Sequence, residues 1–268
     1  MRVQFIINDV DRCLSDSIHS NGQELSETAQ RDIKEYAEMV SKNPSRTFIF
    51  CTGRSFEQLR AVVGIATGIE WIVAENGSLI KEVRTGQVID LGAAHSAKNV
   101  LDEIRAQAYT FTERENIPEK ENMVTIDCNG ELNPLYFNRF MNHLPKALKD
   151  RAEAVGITYN WDPEAINVIM PITKHTGLKH LFKILAKIHG ATPDKIAAAS
   201  AYIGDSTSDI EGMKACAFAG SVSNGDEKNR VVHKFIEEAY IPHERGYLSP
   251  HSFAEGNIDC IQYFLAQK

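Results

Sequence analysis

The sequence predicts an α/β protein, a Rossmann-like parallel-sheet core with an inserted α+β domain. Two observations predict it. Short apolar runs alternate with amphipathic stretches of helical length, the pattern of parallel strands joined by right-handed crossovers, with helices covering both sheet faces. The middle of the chain breaks that rhythm: from Gly92 to Ile172 it reads helix, strand, helix, strand, strand, an antiparallel unit with one covered and one open face.

The elements follow in order. Val3-Gln4-Phe5-Ile6-Ile7 is a buried strand. Ser26 to Lys42 is a helix with Ser26 as N-cap, Ile33, Tyr36, Ala37 and Val40 on one face, and Pro44 after its end. Thr47 to Cys51 is a second strand, followed by a helix from Ser55 to about Val63, and Trp71 to Ala74 is a third strand. The inserted unit holds helices at Ser96–Arg114 and Pro134–Val155 and strands at Met123–Asp127, Ile157–Asn160 and Ala165–Met170, the last two joined by a Trp161-Asp162-Pro163-Glu164 turn. In the last of these strands Ile166, Val168 and Met170 share the packed face, which leaves Ala165, Asn167 and Ile169 on the other. Beyond it come a helix from Thr176 to His189, a strand at Ser200–Ile203, a helix from Asp209 to Ala215 and a last strand at Ala217–Ser221.

Composition excludes several classes of function. With 268 residues the chain makes one or two domains, and 43% hydrophobic with 24% charged residues suits a packed globule and not a disordered chain. Lysine and arginine number 29 against 36 acids, and the net charge of −7 repels nucleic-acid backbones. No apolar run approaches the ~20 residues that span a membrane. The N-terminal run turns polar at Asn8-Asp9, too early for a signal peptide, so a cytoplasmic location is expected. The five cysteines, Cys13, Cys51, Cys128, Cys216 and Cys260, are widely spaced with no C-x-x-C pair, which fits free thiols in a reducing compartment.

Four segments carry chemistry. Asp9-Val10-Asp11 stands at the carboxyl end of the first strand, where side chains two apart share a face and where open parallel sheets bind ligands. An isolated D-x-D is ordinarily a turn, but two crowded acids call for a proton or a cation. Gly204-Asp205 ends another strand, and Asp209, which alone reads as an N-cap, follows four residues later. Carboxylates converging there form a hard-oxygen site suited to Mg²⁺ and a phosphate-bearing substrate. Thr52-Gly53-Arg54 lies between a strand and a helix, where a hydroxyl, free helix-start N–H groups and a planar guanidinium can hold an anion. Lys174 precedes a helix and alone reads as a surface charge.

Together these segments resemble the four motifs of the haloacid dehalogenase superfamily: Asp9-Val10-Asp11 with Leu14, Thr52-Gly53-Arg54, Lys174, and Gly204-Asp205 with Asp209. Ala74-Glu75-Asn76-Gly77 with Leu79-Ile80, and Asn224-Gly225, look like its sugar-phosphatase branch, and the insertion has the size of that branch's large α/β cap. The resemblance implies a catalytic core of residues 1–91 and 173–268 around a cap of 92–172. It departs at Arg12-Cys13, where the family usually has Gly-Thr, and at Ser208, where it usually has Asn. Arginine takes a positive φ less cheaply than glycine, so Arg12 is expected to reach over the site and help select substrate.

The resemblance further implies a Mg²⁺-dependent phosphatase of small phosphorylated metabolites, chiefly sugar phosphates. Asp9 is then the nucleophile that becomes an aspartyl-phosphate, Asp11 the acid–base, Thr52 a phosphate ligand and Lys174 the charge-balancing cation. Asp9, Asp205, Asp209 and the Asp11 backbone carbonyl lie on or near the metal. Arg12, Gly53, Arg54, Asn224 and, in the cap, Asn167 are the substrate-binding candidates. Two alternatives stay open, a phosphohexomutase of the same superfamily and a phospho-accepting switch of the response-regulator kind.

Overall fold

The computed structural model describes residues 2–15, 25–128, 134–161 and 165–267. They form two compact units, Met1–Ile89 with Thr173–Lys268, and Asp90–Ile172. Among the described residues no helix is long and apolar enough to cross a membrane.

The first unit opens with β1 (Phe5–Asn8), α1 (Glu27–Ser41), β2 (Thr47–Cys51), α2 (Arg60–Ile65), β3 (Ile69–Ala74), β4 (Leu79–Glu82) and β5 (Val88–Asp90), the last reaching the boundary between the units. Ser26 caps α1 by accepting a hydrogen bond from the Ala29 N–H at 3.1 Å. Helix α2 starts five residues later than the sequence suggests. Ser55 and Gln58 bond each other's backbone N–H groups through their side chains, at 3.0 and 3.3 Å, and hold the preceding residues as turns.

The second unit holds α3 (Lys98–Phe111), β6 (Met123–Asp127), α4 (Pro134–His143), α5 (Lys146–Ala154), β7 (Thr158–Trp161) and β8 (Ala165–Ile169). The helix expected over Pro134–Val155 is two helices. Pro145 has no N–H to continue the ladder, and the chain restarts after it. The antiparallel sheet runs β6-β8-β7. Its Val124, Ile126, Ile166 and Val168 pack with Leu101, Ile104, Phe140 and Leu148 in one apolar core. Thr125, Asn167 and Asn160 form a register row on the opposite side. Most of the Trp161–Glu164 turn lies outside the described residues.

The chain then returns through α6 (Lys174–Ile188), α7 (Pro193–Ala198), β9 (Ser200–Ile203), α8 (Asp209–Met213), β10 (Phe218–Ser221), α9 (Glu227–Ala239), β11 (Gly246–Leu248) and α10 (Phe253–Ala266). Strand β11 lies beyond the last strand read from the sequence. It is only three residues long, too short to show an apolar period. The main sheet runs β11-β10-β9-β1-β2-β3-β4-β5, with β11 through β3 parallel and β4 antiparallel to β3. Ile6, Phe48, Phe50 and Ile72 pack with Ile33 and Tyr36 of α1 and Phe264 of α10. On the other face Phe5 meets the His189 ring at the end of α6, at 5.4 Å between centroids. With both faces covered, β1 sits between β2 and β9, where the strand order reverses. That is where open α/β sheets leave a crevice beyond their carboxyl ends.

Candidate active site

The carboxyl ends of β1, β2 and β9 deliver the motif residues to one place. The Asp9 N–H donates to the Ile203 carbonyl at 2.9 Å, which fixes the exit of β1 against β9. The strand then stops. Val10 and Leu14 turn into the core, and Arg12 donates its N–H to Ser15 at 3.0 Å. The two acids therefore do not share a strand face: Asp9 is buried, whereas the Asp11 side chain is 42% exposed.

Lys174 begins α6, which Thr173 caps through its hydroxyl. A Cβ on Gly77 would collide with the Thr173 carbonyl oxygen, and one on Gly177 with the Gly77 backbone. The Glu75–Gly77 turn also grips the β2 loop, because the Asn76 N–H donates to the Thr52 carbonyl and the Glu75 N–H to the Arg54 carbonyl, both at 3.0 Å. This close glycine packing sets the Lys174 ammonium inside, 3.1 Å from Asp9 Oδ1 and 2.6 Å from Asp209 Oδ1.

Asp209 has little left to offer a ligand. Its Oδ1 accepts from Lys174 and from the Tyr202 hydroxyl at 2.8 Å. Its Oδ2 accepts from the Asp205 N–H at 3.1 Å and from the Ser206 N–H and hydroxyl, both at 2.9 Å. Asp205 is engaged on one oxygen by the Asn224 amide at 2.9 Å, and its other oxygen meets the Cys13 thiol at 3.8 Å. Asn224 also donates to the Arg12 carbonyl at 2.9 Å, while its own buried Oδ1 has no hydrogen-bond partner. The Asn229 side chain accepts from the Asn224 N–H at 3.1 Å and holds that loop in place.

Arg12 does adopt the left-handed conformation, at φ 61°. Its guanidinium pairs with Asp226 and lies 3.8 Å from Asp205, so it is engaged by the loop after β10. Arg54, expected to hold an anion, pairs with Asp11 instead: its Nε donates at 2.8 and 2.9 Å to the two carboxylate oxygens. Thr52 is fully buried, and its Oγ1 accepts from the Arg54 N–H at 3.2 Å. Gly53 lies between them in sequence, and a Cβ there would only touch the Asn76 side chain. Asn167 belongs to the second unit, where it accepts from Thr125 Oγ1 at 2.9 Å and donates to Asn160 Oδ1 at 3.5 Å.

Electrostatics follow from burial. Asp9 is pushed well above the usual carboxylate range by burial and next by Asp209, with Lys174 opposing. Asp205 is pushed up to about 7 by burial and by Asp209, with Asn224 opposing. Burial works against the Lys174 ammonium, but Asp209 and Asp9 outweigh it and hold its pKa well above the usual value. Burial, then Asp205, pushes the Cys13 thiol up. Three buried carboxylates thus face one buried ammonium.

That surplus is what a dication relieves. Ligand atoms of Asp9, Cys13 and Asp205 lie within 4.8 Å of one another, and the Asn224 side chain that donates to Asp205 keeps a buried Oδ1 without a hydrogen-bond partner. The carboxylate oxygens are hard donors, and Cys13, held as a thiol, is a poor one, so the set fits Mg²⁺.

No protein-family model and no curated protein matches the sequence. Solved structures do. A haloacid dehalogenase-like hydrolase from Bacteroides thetaiotaomicron aligns with TM-score 0.65 and 13% identity over 97% of this chain and 99% of its own. The Synechocystis sucrose-phosphatase, in complex with sucrose and phosphate, aligns with TM-score 0.58 and 15% identity over 98% of each chain. The C-terminal domain of Candida albicans (C. albicans) trehalose-6-phosphate phosphatase aligns with TM-score 0.65 and 14% identity over 98% of this chain and 93% of its own.

The chain has the haloacid dehalogenase-like hydrolase fold. Within that fold, Tyr202 and Asn229 are site residues that motif spacing does not reveal. Tyr202 could have been noticed as a polar group in an apolar strand two residues before Gly204.

Proposed function

We propose that this chain hydrolyses phosphoric monoesters of small metabolites, with a sugar phosphate as substrate. The observation that carries this reading is the buried cluster of Asp9, Lys174, Asp205 and Asp209 at the ends of β1 and β9. The sugar-phosphate class is supported by the fold shared with a sucrose-phosphatase in complex with sucrose and phosphate and with a trehalose-6-phosphate phosphatase. Asp9, Asp205 and the Asp11 carbonyl would hold Mg²⁺, with Asp209 behind them, and when bound the ion neutralises charge around the phosphoryl oxygens.

The residues divide the work. The phosphate displaces Asp11 as the partner of Arg54, and the Thr52 hydroxyl donates to a phosphoryl oxygen. Asp9 attacks phosphorus, the ester P–O bond breaks, and Asp11 gives its proton to the leaving alkoxide. Asp11 then takes a proton from water, which attacks the aspartyl-phosphate and releases phosphate, restoring both carboxyl groups. Lys174 balances the charge of Asp9 and the transferred group. A phosphate-release screen over phosphorylated metabolites, with Mg²⁺ and with chelator, tests the reading. Metal-dependent multiple turnovers support it, and a stable phosphoprotein or a retained bisphosphate overturns it.

Asp11→Asn is expected to slow hydrolysis of an alkyl phosphate by roughly 10²–10⁴-fold, the usual worth of acid–base catalysis. A phenolic ester, whose leaving group needs little protonation, should lose less in the first step. Steady-state kinetics on the two esters check this, and equal losses would remove Asp11 from the role of acid.

The Asn167 and Asn160 amides, backed by the buried Thr125 hydroxyl, are groups suited to a polyhydroxylated leaving group. Asn167→Ala is expected to lower kcat/KM for the best sugar phosphate by about 0.5–3 kcal/mol and to leave a small aryl phosphate nearly unchanged. Parallel kinetics on both substrates decide it.

A further inference from the structure

The geometry points to Tyr202 as a positioning residue that shares Asp209 with Lys174 and so keeps the ammonium on the nucleophile. This inference rests on the phosphatase reading and adds a residue to it. Tyr202 is fully buried in β9, and its hydroxyl lies 2.8 Å from Asp209 Oδ1 and 3.3 Å from the Cys51 carbonyl oxygen. It has a single proton for these two acceptors, and the shorter contact is to the carboxylate. Burial, then Asp209, pushes the phenol well above its usual pKa, so it donates and does not compete as an anion.

The seat is built for the ring. A Cβ on Gly212 of α8 would collide with the Tyr202 ring, and a Cβ on Gly204 would collide with the Asp209 side chain. Two glycines therefore let phenol and carboxylate meet beneath the β9 loop. Within the chain of contacts, Lys174 is 2.6 Å from Asp209 and 3.1 Å from Asp9, so the ammonium already leans towards Asp209. The phenol takes part of the Asp209 charge. Without it, that oxygen has Lys174 as its one remaining donor and draws the ammonium away from Asp9. The cation is then displaced from the atom that attacks phosphorus, while Asp205 and the Asp11 carbonyl are untouched.

Tyr202→Phe keeps the ring and removes the hydroxyl. In the full-length enzyme it is expected to lower kcat about ten- to a hundred-fold, the scale of one hydrogen bond to a charged group. Inhibition by orthovanadate, a probe shaped like the transferring phosphoryl group, should weaken by a similar factor. Mg²⁺ affinity by calorimetry should stay within about twofold of wild type, because a bond worth this little to the metal site moves its affinity little. A kcat within about twofold of wild type overturns the inference, however far the thermal midpoint falls, since the phenol would then only fill space. A Mg²⁺ affinity falling in step with kcat also overturns it, by making Tyr202 a support of the metal site. Asp9→Asn, run alongside, separates the two levels. An inactive Asp9→Asn with a fully active Tyr202→Phe removes this inference alone, whereas an Asp9→Asn that turns over normally removes the phosphatase reading and this inference with it.

Discussion

Asp9→Asn is expected to stop turnover and to leave the protein at least as stable as before. The amide is nearly isosteric with the carboxylate and keeps an acceptor for Lys174, but it cannot form the bond to phosphorus. The loss should be on the order of 10⁴-fold or more, as for other removed nucleophiles. Stability moves the other way. Asp9 is pushed up by burial and by Asp209, so the native state keeps a proton there to higher pH than the unfolded chain does. A group raised in this way supports folding below its unfolded pKa and gives that support up as pH rises through the native value. The asparagine never gives it up, so in metal-free protein the variant should gain on wild type as pH increases. Phosphate release with Mg²⁺, and thermal unfolding with chelator at pH 5 and pH 8, check both halves. A variant that loses activity and also unfolds earlier at pH 8 would mean that Asp9 holds the fold together.

Lys174→Met is expected to cost both activity and stability. It removes the one buried ammonium from among Asp9, Asp205 and Asp209. Breaking such a buried pair by removing one partner typically costs about 3–5 kcal/mol, and removing a group that balances transition-state charge costs about 10²–10³-fold in kcat. The remaining acids can recover by taking up protons. Burial and the neighbouring Asp209 already raise Asp9 and Asp205, and losing Lys174, which opposes both shifts, raises them further, so the stability lost at neutral pH should return as pH falls. Urea unfolding between pH 5 and pH 8 measures it. A deficit that grows towards acid would show that Lys174 is not what keeps these carboxylates charged.

The sequence exposes this site unevenly, for physical reasons. Asp9 and Asp205 are legible because an apolar strand running into an acid marks a sheet edge, whatever the rest of the chain does. Lys174 is legible only beside the other motifs, since nothing local separates a buried lysine from a solvated one. The Arg54–Asp11 pair spans 43 residues and depends on β1 ending at Asn8, so extrapolating strand geometry to Asp11 points it the wrong way. Tyr202 looks like one more strand residue until Gly212, on the following helix, is seen to leave space for its ring. The fold divides similarly. Long periodic helices such as α1 and α6 and the strands next to β1 stand out, whereas β4, β5 and β11 are three or four residues long and take their identity from neighbours. The break at Pro145 was there to be read, because proline inside a helical pattern ends it.

The glycine clamp at Gly77 has a mechanical meaning. The chain re-enters the first unit at Thr173, one residue before the lysine that completes the charge cluster. The end of the connecting segment and the start of the lysine's helix are therefore the same stretch of chain. The Thr173 carbonyl, however, is pressed against Gly77, and the next turn of α6 against the same backbone through Gly177. The junction is a packed anchor within the first unit. The β3–β4 turn thus holds the start of α6, and with it the lysine, in register with the sheet.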